Sequence, residues 1–519
     1  MFENELTLYK AILNKKEDEF HSRYEDAIIK IDKEFGKTYP FVINGKRITT
    51  GSVFADISPI DTRIVIGYAS KAKEEHVRDA IKAAKDAFKE WSGLDYKDRV
   101  DIMRKAANIM SKKKYELAAL LTYENGKNRY EAIADVDEAI DFLRYYAYSM
   151  EENEGYIKKM NQCYPDEESY SVLRPYGVFA VISPFNFPIA ITTGMCTGAL
   201  ITGNTVVLKP SSDTPISAIK LLEIFEEAGV IDGAINLITG SGSVIGDALV
   251  TSKDIDGIVF TGSRDVGISI YNKANQIRPK PVITEMGGKN ACIVSKDADI
   301  DKAIVGVARA AFGYSGQKCS ACSRLIIHKD IKDEFMDRLI NFVDKLKVGN
   351  PIEKDTFTGP VINNKAYEKY NRCIDIASKD GKILYGGKVR EDLNGYYVYP
   401  TIVDKLPKDH EFLKEELFLP ILAVIQYDRF DDAINIANNV DYGLTAGIFS
   451  NNKLEVDKFF DEIQAGVLYV NREKSATTGA MVGAQPFVGW KYSGISGKGT
   501  GGRYYLELFL REQSRTIHK

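Results

Sequence analysis

From Gly177 to Gly288, short apolar runs alternate with stretches of helical period, and this rhythm restricts the possible folds more than any other feature of the chain. The runs are "GVFAVISPFNFP" (177–188), "NTVVLKPS" (204–211), "AINLITG" (234–240), "DGIVFTGS" (256–263) and "KPVITEMGG" (280–288). Between them lie "PISAIKLLEIFEEAG" (215–229), "SVIGDALVTS" (243–252) and "RDVGISIYNKAN" (264–275). A strand covered on both faces reads as a near-continuous β-branched run, and a helical crossover returns the chain to a parallel neighbour. The pattern predicts an α/β doubly wound sheet. A second alternating region, about 290–475, holds "NACIVS", "SRLIIHKD", the helix "IKDEFMDRLINFVDKL", "LFLPILAVIQYD" and "AGVLYVN". At 519 residues the chain is too long for one ordinary core, so two or three domains are expected.

The flanks read differently. Residues 1–37 have helical period and dense charge, as a solvated helical arm would. "FVINGKRI" (41–48) predicts two strands about an Asn-Gly turn, and 74–150 carries long amphipathic helical patterns. The stretch 152–175 is polar and irregular. The end is Gly-rich from 491 and closes on "RYYLELFLREQSRTIHK", which alternates like an edge strand.

A net charge of −4, from 69 basic and 73 acidic groups, gives no electrostatic case for a nucleic-acid or membrane partner. No 18-residue apolar window exists and the charged beginning is unlike a signal peptide, so a cytoplasmic protein is expected. Six cysteines in such a length make no disulfide framework. The five histidines (His21, His76, His328, His410, His518) form no local cluster with cysteine, so no metal site is expected.

Three segments place a polar residue at or beyond the end of an apolar strand, where open α/β sheets gather ligands. They carry Asn186, Glu285 and the loop "GQKCSACSR" (316–324). Each has a plain alternative: Asn186 as a turn former between two phenylalanines, Glu285 as a helix cap, Cys319 and Cys322 as a redox dithiol or metal clip. If Cys319 is instead a nucleophile, scarce histidine makes a carboxylate the expected base.

Taken together, "SPFNFP" (183–188), "LKPSSDTP" (208–215), "FTGSRDVG" (260–267), "EMGGKN" (285–290), "GQKCSACSR", "EELFLP" (415–420), "YGLTAGIFS" (442–450) and "QPFVGWKYSG" (485–494) resemble, in order and spacing, the NAD(P)-dependent aldehyde dehydrogenase superfamily over about residues 40–515. The resemblance implies Cys319 as nucleophile, and Asn186 with the Cys319 N–H as an oxyanion hole contributing about 3–4 kcal/mol per donor. It implies Glu285 as the base that hydrolyses the thioester, which argues against an acylating enzyme that hands the acyl group to coenzyme A. Cys322 then becomes a buried filler. For the cofactor, NAD with NADP also compatible, it implies Ile182, Ser183, Pro184, Phe185, Lys209, Ser212, Gly242, Gly246, Gly262, Ser263, Val266, Gly287, Glu416 and Phe418. Ser212 stands where NAD-preferring members often carry an acid, so a 2′-phosphate is not repelled there. Leu419 replaces the usual glycine of its motif.

Within the family, "GQKCSACSR", "TTGAMVGAQPFVGW" and the charged arm are most similar to members that oxidise glutamate γ-semialdehyde, in equilibrium with 1-pyrroline-5-carboxylate, to glutamate. The α-carboxylate of that substrate would meet the N–H groups of Gly479 and Ala480 and the Ser320 hydroxyl, with Phe187 and Phe487 about its aliphatic middle. The alternatives are another carboxylated semialdehyde such as succinate semialdehyde, or a non-catalytic or thiol-redox protein on the same scaffold. The implied architecture is aldehyde dehydrogenase-like: a helical arm (1–40), a Rossmann-type cofactor domain (41–151 and 176–287), an α/β catalytic domain (288–488) and a small strand-exchanging oligomerisation element (152–175 and 489–519). A homodimer or an assembly of dimers is implied, with a functional link to a proline dehydrogenase.

Overall fold

All five runs of the first region contain parallel strands. In the structure, a computed structural model that describes residues 2–519, they are Val178–Ile182, Thr205–Lys209, Ile235–Leu237, Gly257–Thr261 and Val282–Glu285. Their order across the sheet is 282–285, 257–261, 178–182, 205–209, 235–237. Ile182 lies opposite Lys209, Phe260 opposite Ile182, and Thr261 opposite Glu285, so neighbouring strands finish level at their carboxyl ends. Beside Ile235–Leu237 the sheet is extended by the hairpin Phe41–Ile43 and Lys46–Ile48. Its turn needs two positive φ angles, and Asn44 (52°) and Gly45 (69°) supply them.

Helices Glu74–Gly93, Tyr96–Asn125 and Arg129–Glu152 fill the predicted helical stretch. Helix Ala190–Ile201 has almost every residue buried; Gly198 leaves room there for the Phe509 ring. One expected crossover is shorter than its pattern: "SVIGDALVTS" forms a wide turn, Gly242–Gly246, and a single helical turn, Asp247–Val250. Gly242 and Gly246 weaken a longer helix.

The second region is a seven-stranded sheet, ordered 382–385, 401–404, 421–427, 322–328, 290–294, 445–449, 467–470, parallel except for the edge strand Lys382–Tyr385. Helices Ile300–Phe312 and Lys332–Val343 share a core on one face, and Phe430–Asn438 and Lys453–Glu462 on the other.

Two flank expectations need correction. The polar stretch 152–175 is not irregular: Ile157–Lys159 and Glu167–Pro175 pair as a hairpin, and Leu510–His518 adds antiparallel, from Leu510 opposite Pro175 to His518 opposite Glu167. Most of its side chains are not buried, so no apolar alternation marks it as a strand. The tail starts with a helical turn, Leu506–Phe509, before becoming that strand. The arm is not solvated all round either. Helix Glu17–Asp32 buries Phe20, Tyr24, Ala27, Ile28 and Ile31, and the Tyr24 hydroxyl donates to the Ala118 carbonyl at 3.1 Å. Among the described residues, no helix is long and apolar enough to cross a membrane.

Candidate active site

The loop bearing Cys319 joins helix Ile300–Phe312 to strand Cys322–His328, and side chains from other segments hold it. The Asn290 amide donates to the carbonyls of Cys319 (2.7 Å) and Ala321 (3.0 Å), while its oxygen accepts from the Thr445 N–H (2.9 Å). Thr477 donates to the Ser320 carbonyl at 2.6 Å. A side chain at Gly288 would run into the Cys319 carbonyl, so the "EMGGKN" segment passes directly beside the Cys319 loop. Both thiols are free; Cys319 is partly exposed, whereas Cys322 is buried with its sulfur 3.6 Å from the Arg324 carbonyl. Among the described residues no cluster of three His, Cys, Asp or Glu is placed to hold a metal ion.

Cys319, Glu285, Phe187, Ser320, Gly479, Ala480 and Phe487 line one cavity of about 260 Å³. All five predicted substrate residues therefore meet the predicted nucleophile and base. Asn186 is buried outside the cavity lining and reaches the loop from the side: its amide donates to the Gln317 carbonyl at 3.2 Å through one of its two N–H groups. Burial, aided by the charges of Glu416 and Glu285, pushes the Cys319 thiol up, and the Ser320 N–H opposes this. Glu285 has no hydrogen-bond partner for either oxygen. Burial holds its carboxyl well above the usual range, with only the Gly489 N–H dipole favouring ionisation.

Four side chains that line the cavity or hold its loops carry no role in the sequence reading. Arg472 donates to the Thr478 and Gly479 carbonyls, the latter at 2.8 Å. Because a trans peptide points its N–H opposite to its C=O, this turns the Gly479 and Ala480 N–H groups away from Arg472. Gly479 stands at φ 87°, a conformation open to glycine. Glu138 and Lys318 also open into the cavity; Lys318 pairs with Glu131 at 2.7 Å, and burial first, then Asp135, pushes Glu138 up to about 8. Glu131, Asp135 and Glu138 recur at i, i+4 and i+7, which sets them on one helix face, a visible signal for an acid-lined wall. Asn290 lay in a quoted motif without a role.

Behind the cavity, Lys127 and Asp135 form a fully buried ion pair at 2.6 Å. The Lys127 ammonium lies 3.6 Å from the centre of the Phe187 ring, and Asp135 accepts the Ala190 N–H at 2.7 Å. Burial pushes Lys127 down and Asp135 up, and their mutual contact opposes both shifts. Lys127→Met should lower the unfolding free energy by about 3–5 kcal/mol, because it strands a buried carboxylate. The urea midpoint reads this, and Lys127→Met with Asp135→Leu should recover part of the loss.

The predicted cofactor residues occupy the level strand ends. The Ser183 N–H donates to the Lys209 carbonyl (3.2 Å), and the Ser212 hydroxyl to the Gly240 carbonyl (3.2 Å). Lys209 is buried, which lowers its ammonium to about 8, and Asp213 counteracts this. So an acid does stand near the lysine, one residue beyond Ser212. Gly242 and Gly246 face open space. The Gly262 N–H bonds the Glu285 carbonyl (3.1 Å), and Ser263 begins helix Arg264–Ile277 without capping it, leaving its first-turn N–H groups, beside exposed Val266, for an anion. Ile182 ends the central strand and Pro184 and Phe185 follow it; the Phe185 ring meets Phe418 edge-on at 5.8 Å. Glu416 accepts the Gly288 N–H at 2.9 Å, and any side chain at Gly287 would strike its carboxylate. Burial pushes Glu416 up to about 7. Bare backbone, an open helix start and a carboxylate at the far end fit a dinucleotide.

Comparison with known proteins agrees. The Aldehyde dehydrogenase family model matches residues 48–514. A 1-pyrroline-5-carboxylate dehydrogenase of Geobacillus sp. (strain WCH70) is 42% identical over 499 residues, covering 95% of each chain. The structure of a 1-pyrroline-5-carboxylate dehydrogenase from Thermus with bound NAD is 38% identical over 96% of each chain, with a TM-score of 0.92. Proline utilization A from Bdellovibrio bacteriovorus matches all of this chain with 53% of its own, at 37% identity and a TM-score of 0.94.

Proposed function

The chain belongs to the aldehyde dehydrogenase family, and from that premise we propose that it oxidises L-glutamate γ-semialdehyde to L-glutamate, using NAD, in proline degradation. The observation that carries the substrate is the loop at 479–480: two N–H groups turned from Arg472, beside Ser320, on the cavity that holds Cys319. Such a nest takes a carboxylate at the end of the substrate remote from the aldehyde. Glu138 lines the same cavity, and an α-ammonium beside it would draw its raised carboxyl into the ionised form.

Cys319 gives up its thiol proton to solvent, attacks the aldehyde carbon as the thiolate and forms a thiohemiacetal, whose oxyanion the second Asn186 N–H and the Cys319 backbone N–H stabilise. Bound NAD supplies the hydride acceptor that turns this adduct into a thioester. Lys209 would hold the adenosine ribose, the start of helix Arg264–Ile277 the pyrophosphate, and Glu416 the nicotinamide ribose. Glu285 takes a proton from water, which attacks the thioester and frees Cys319 and glutamate.

We further propose the domain division read from the sequence, with 152–175 and 489–519 as the oligomerisation element. The exposed strand Leu510–His518 and its hairpin offer edges to a second copy. A cytoplasmic location suits six free cysteines. The likeness to about half of a proline utilization A chain supports a functional link to a proline dehydrogenase.

Turnover of glutamate, succinate and propionic semialdehydes and of propanal, each with NAD and NADP, tests the assignment. Glutamate semialdehyde with NAD should give the highest kcat/KM. Ser320→Ala should cost it about tenfold, the weight of one charge-assisted hydrogen bond, and leave propanal nearly unaffected. A preference for succinate semialdehyde would replace the proposed substrate.

A further inference from the structure

The segment Asn4–Thr7 crosses the substrate cavity rather than hanging free. Leu6 lines the same cavity as Cys319, together with Asp137, Asp141, Met481 and Val482. Both carboxylates on that wall are spent on the segment. The Glu5 N–H and the Asn4 amide donate to Asp141, each at 2.7 Å. The Thr7 N–H and hydroxyl donate to Asp137, at 2.6 and 2.7 Å. Glu5 is itself anchored, to Lys114 at 2.9 Å and Arg144 at 2.5 Å.

The other end of the brace grips the loop that carries the carboxylate nest. The Asn4 amide also donates to the Val482 carbonyl at 3.0 Å. The Phe2 ring meets Tyr145 at 5.2 Å, and a side chain at Gly483 would collide with both rings. Phe2 and Asn4 thus tie helix Arg129–Glu152 to the 479–483 loop, while Glu5 and Thr7 fasten the segment to the helix. Leu6 has φ 47° and ψ 48°, the left-handed conformation that a leucine adopts only when its surroundings hold it there. That conformation keeps the leucine side chain in the cavity wall.

We propose that Asn4 and Leu6 determine substrate specificity: Asn4 positions the 479–483 loop against the helix, and Leu6 closes the cavity at the end where the remote carboxylate sits. This rests on the substrate assignment above. A chain lacking the brace would hold glutamate semialdehyde less well and admit longer aldehydes.

Leu6→Gly separates wall from backbone, because glycine adopts the left-handed conformation freely and leaves the chain trace in place. Asn4→Ala removes the tie to the loop. Steady-state kinetics with glutamate semialdehyde, propanal and hexanal, and calorimetric binding of L-glutamate, are the readouts. Expected for Leu6→Gly are a five- to tenfold rise in KM for glutamate semialdehyde, a smaller fall in kcat, and a gain in kcat/KM for hexanal; Leu6→Met should restore the wild-type values. Asn4→Ala should weaken L-glutamate binding by a similar factor. Unchanged KM values and ratios in both variants overturn the proposal. So does a uniform loss of kcat on all three aldehydes with a lowered melting temperature, which marks a merely structural role. If the wild type itself does not prefer glutamate semialdehyde to propanal, the substrate assignment fails, while the hexanal gain in Leu6→Gly still decides whether Leu6 closes the cavity.

Discussion

Replacing Cys319 by alanine is expected to abolish dehydrogenase turnover, by a factor on the order of 10⁵ or more, while NAD binding stays within about twofold of wild type. Among the described residues no second thiol or imidazole lines the cavity to substitute for the sulfur. Cys322 is buried and does not line the cavity, and no histidine does. The loop would keep its shape, because Asn290 and Thr477 hold it through main-chain carbonyls rather than through the thiol. Stopped-flow absorbance of reduced cofactor and calorimetric titration with NAD measure the two halves. Residual turnover within a hundredfold of wild type would remove Cys319 from its role.

Glu285→Gln should separate acylation from hydrolysis. One equivalent of reduced cofactor per site should appear in a fast first phase, followed by a steady rate lowered about 10²–10⁴-fold, the usual weight of a general base. The pH profile gives an independent check. Glu285 acts in its ionised form, and burial has raised its carboxyl well above the ordinary range. The active form therefore grows as pH rises, so steady turnover of the wild type should climb over a range displaced upward from that of an ordinary carboxylate, and the glutamine variant should lose the part of that climb that follows hydrolysis. The raised Cys319 thiol adds a dependence of the same sign to the first phase, and that part should survive in Glu285→Gln. Loss of the first phase along with the steady rate would mean that Glu285 also takes the thiol proton.

The doubly wound core was legible because its strands are buried on both faces, and burial writes itself as uninterrupted Val, Ile and Phe. The strand Glu167–Pro175 was not, since it needs no apolar face where it lies. The arm was misread for the opposite reason. Its helical period was visible, but the dense charge between Phe20, Tyr24, Ala27, Ile28 and Ile31 hid that these residues form a buried face. Among the site residues, those at strand ends announced themselves by position. Arg472 acts through carbonyls of the loop six and seven residues later, and Glu138 through the interior face of a long helix. Nothing in a linear pattern separates such groups from solvated charge; the acid spacing at 131, 135 and 138 is the one trace. Asn4 left none, because its amide's partners, Asp141 and Val482, lie more than 130 residues away, and Leu6 meets the cavity only through the fold.

The inward turn of Cys322 has a cost under oxidative stress. A peroxide that reaches Cys319 would form a sulfenic acid, and such a group is normally rescued by an adjacent thiol that closes a disulfide. Here the candidate rescuer is sealed in the hydrophobic interior. Rescue of an oxidised Cys319 therefore falls to a thiol that enters the cavity from outside the chain.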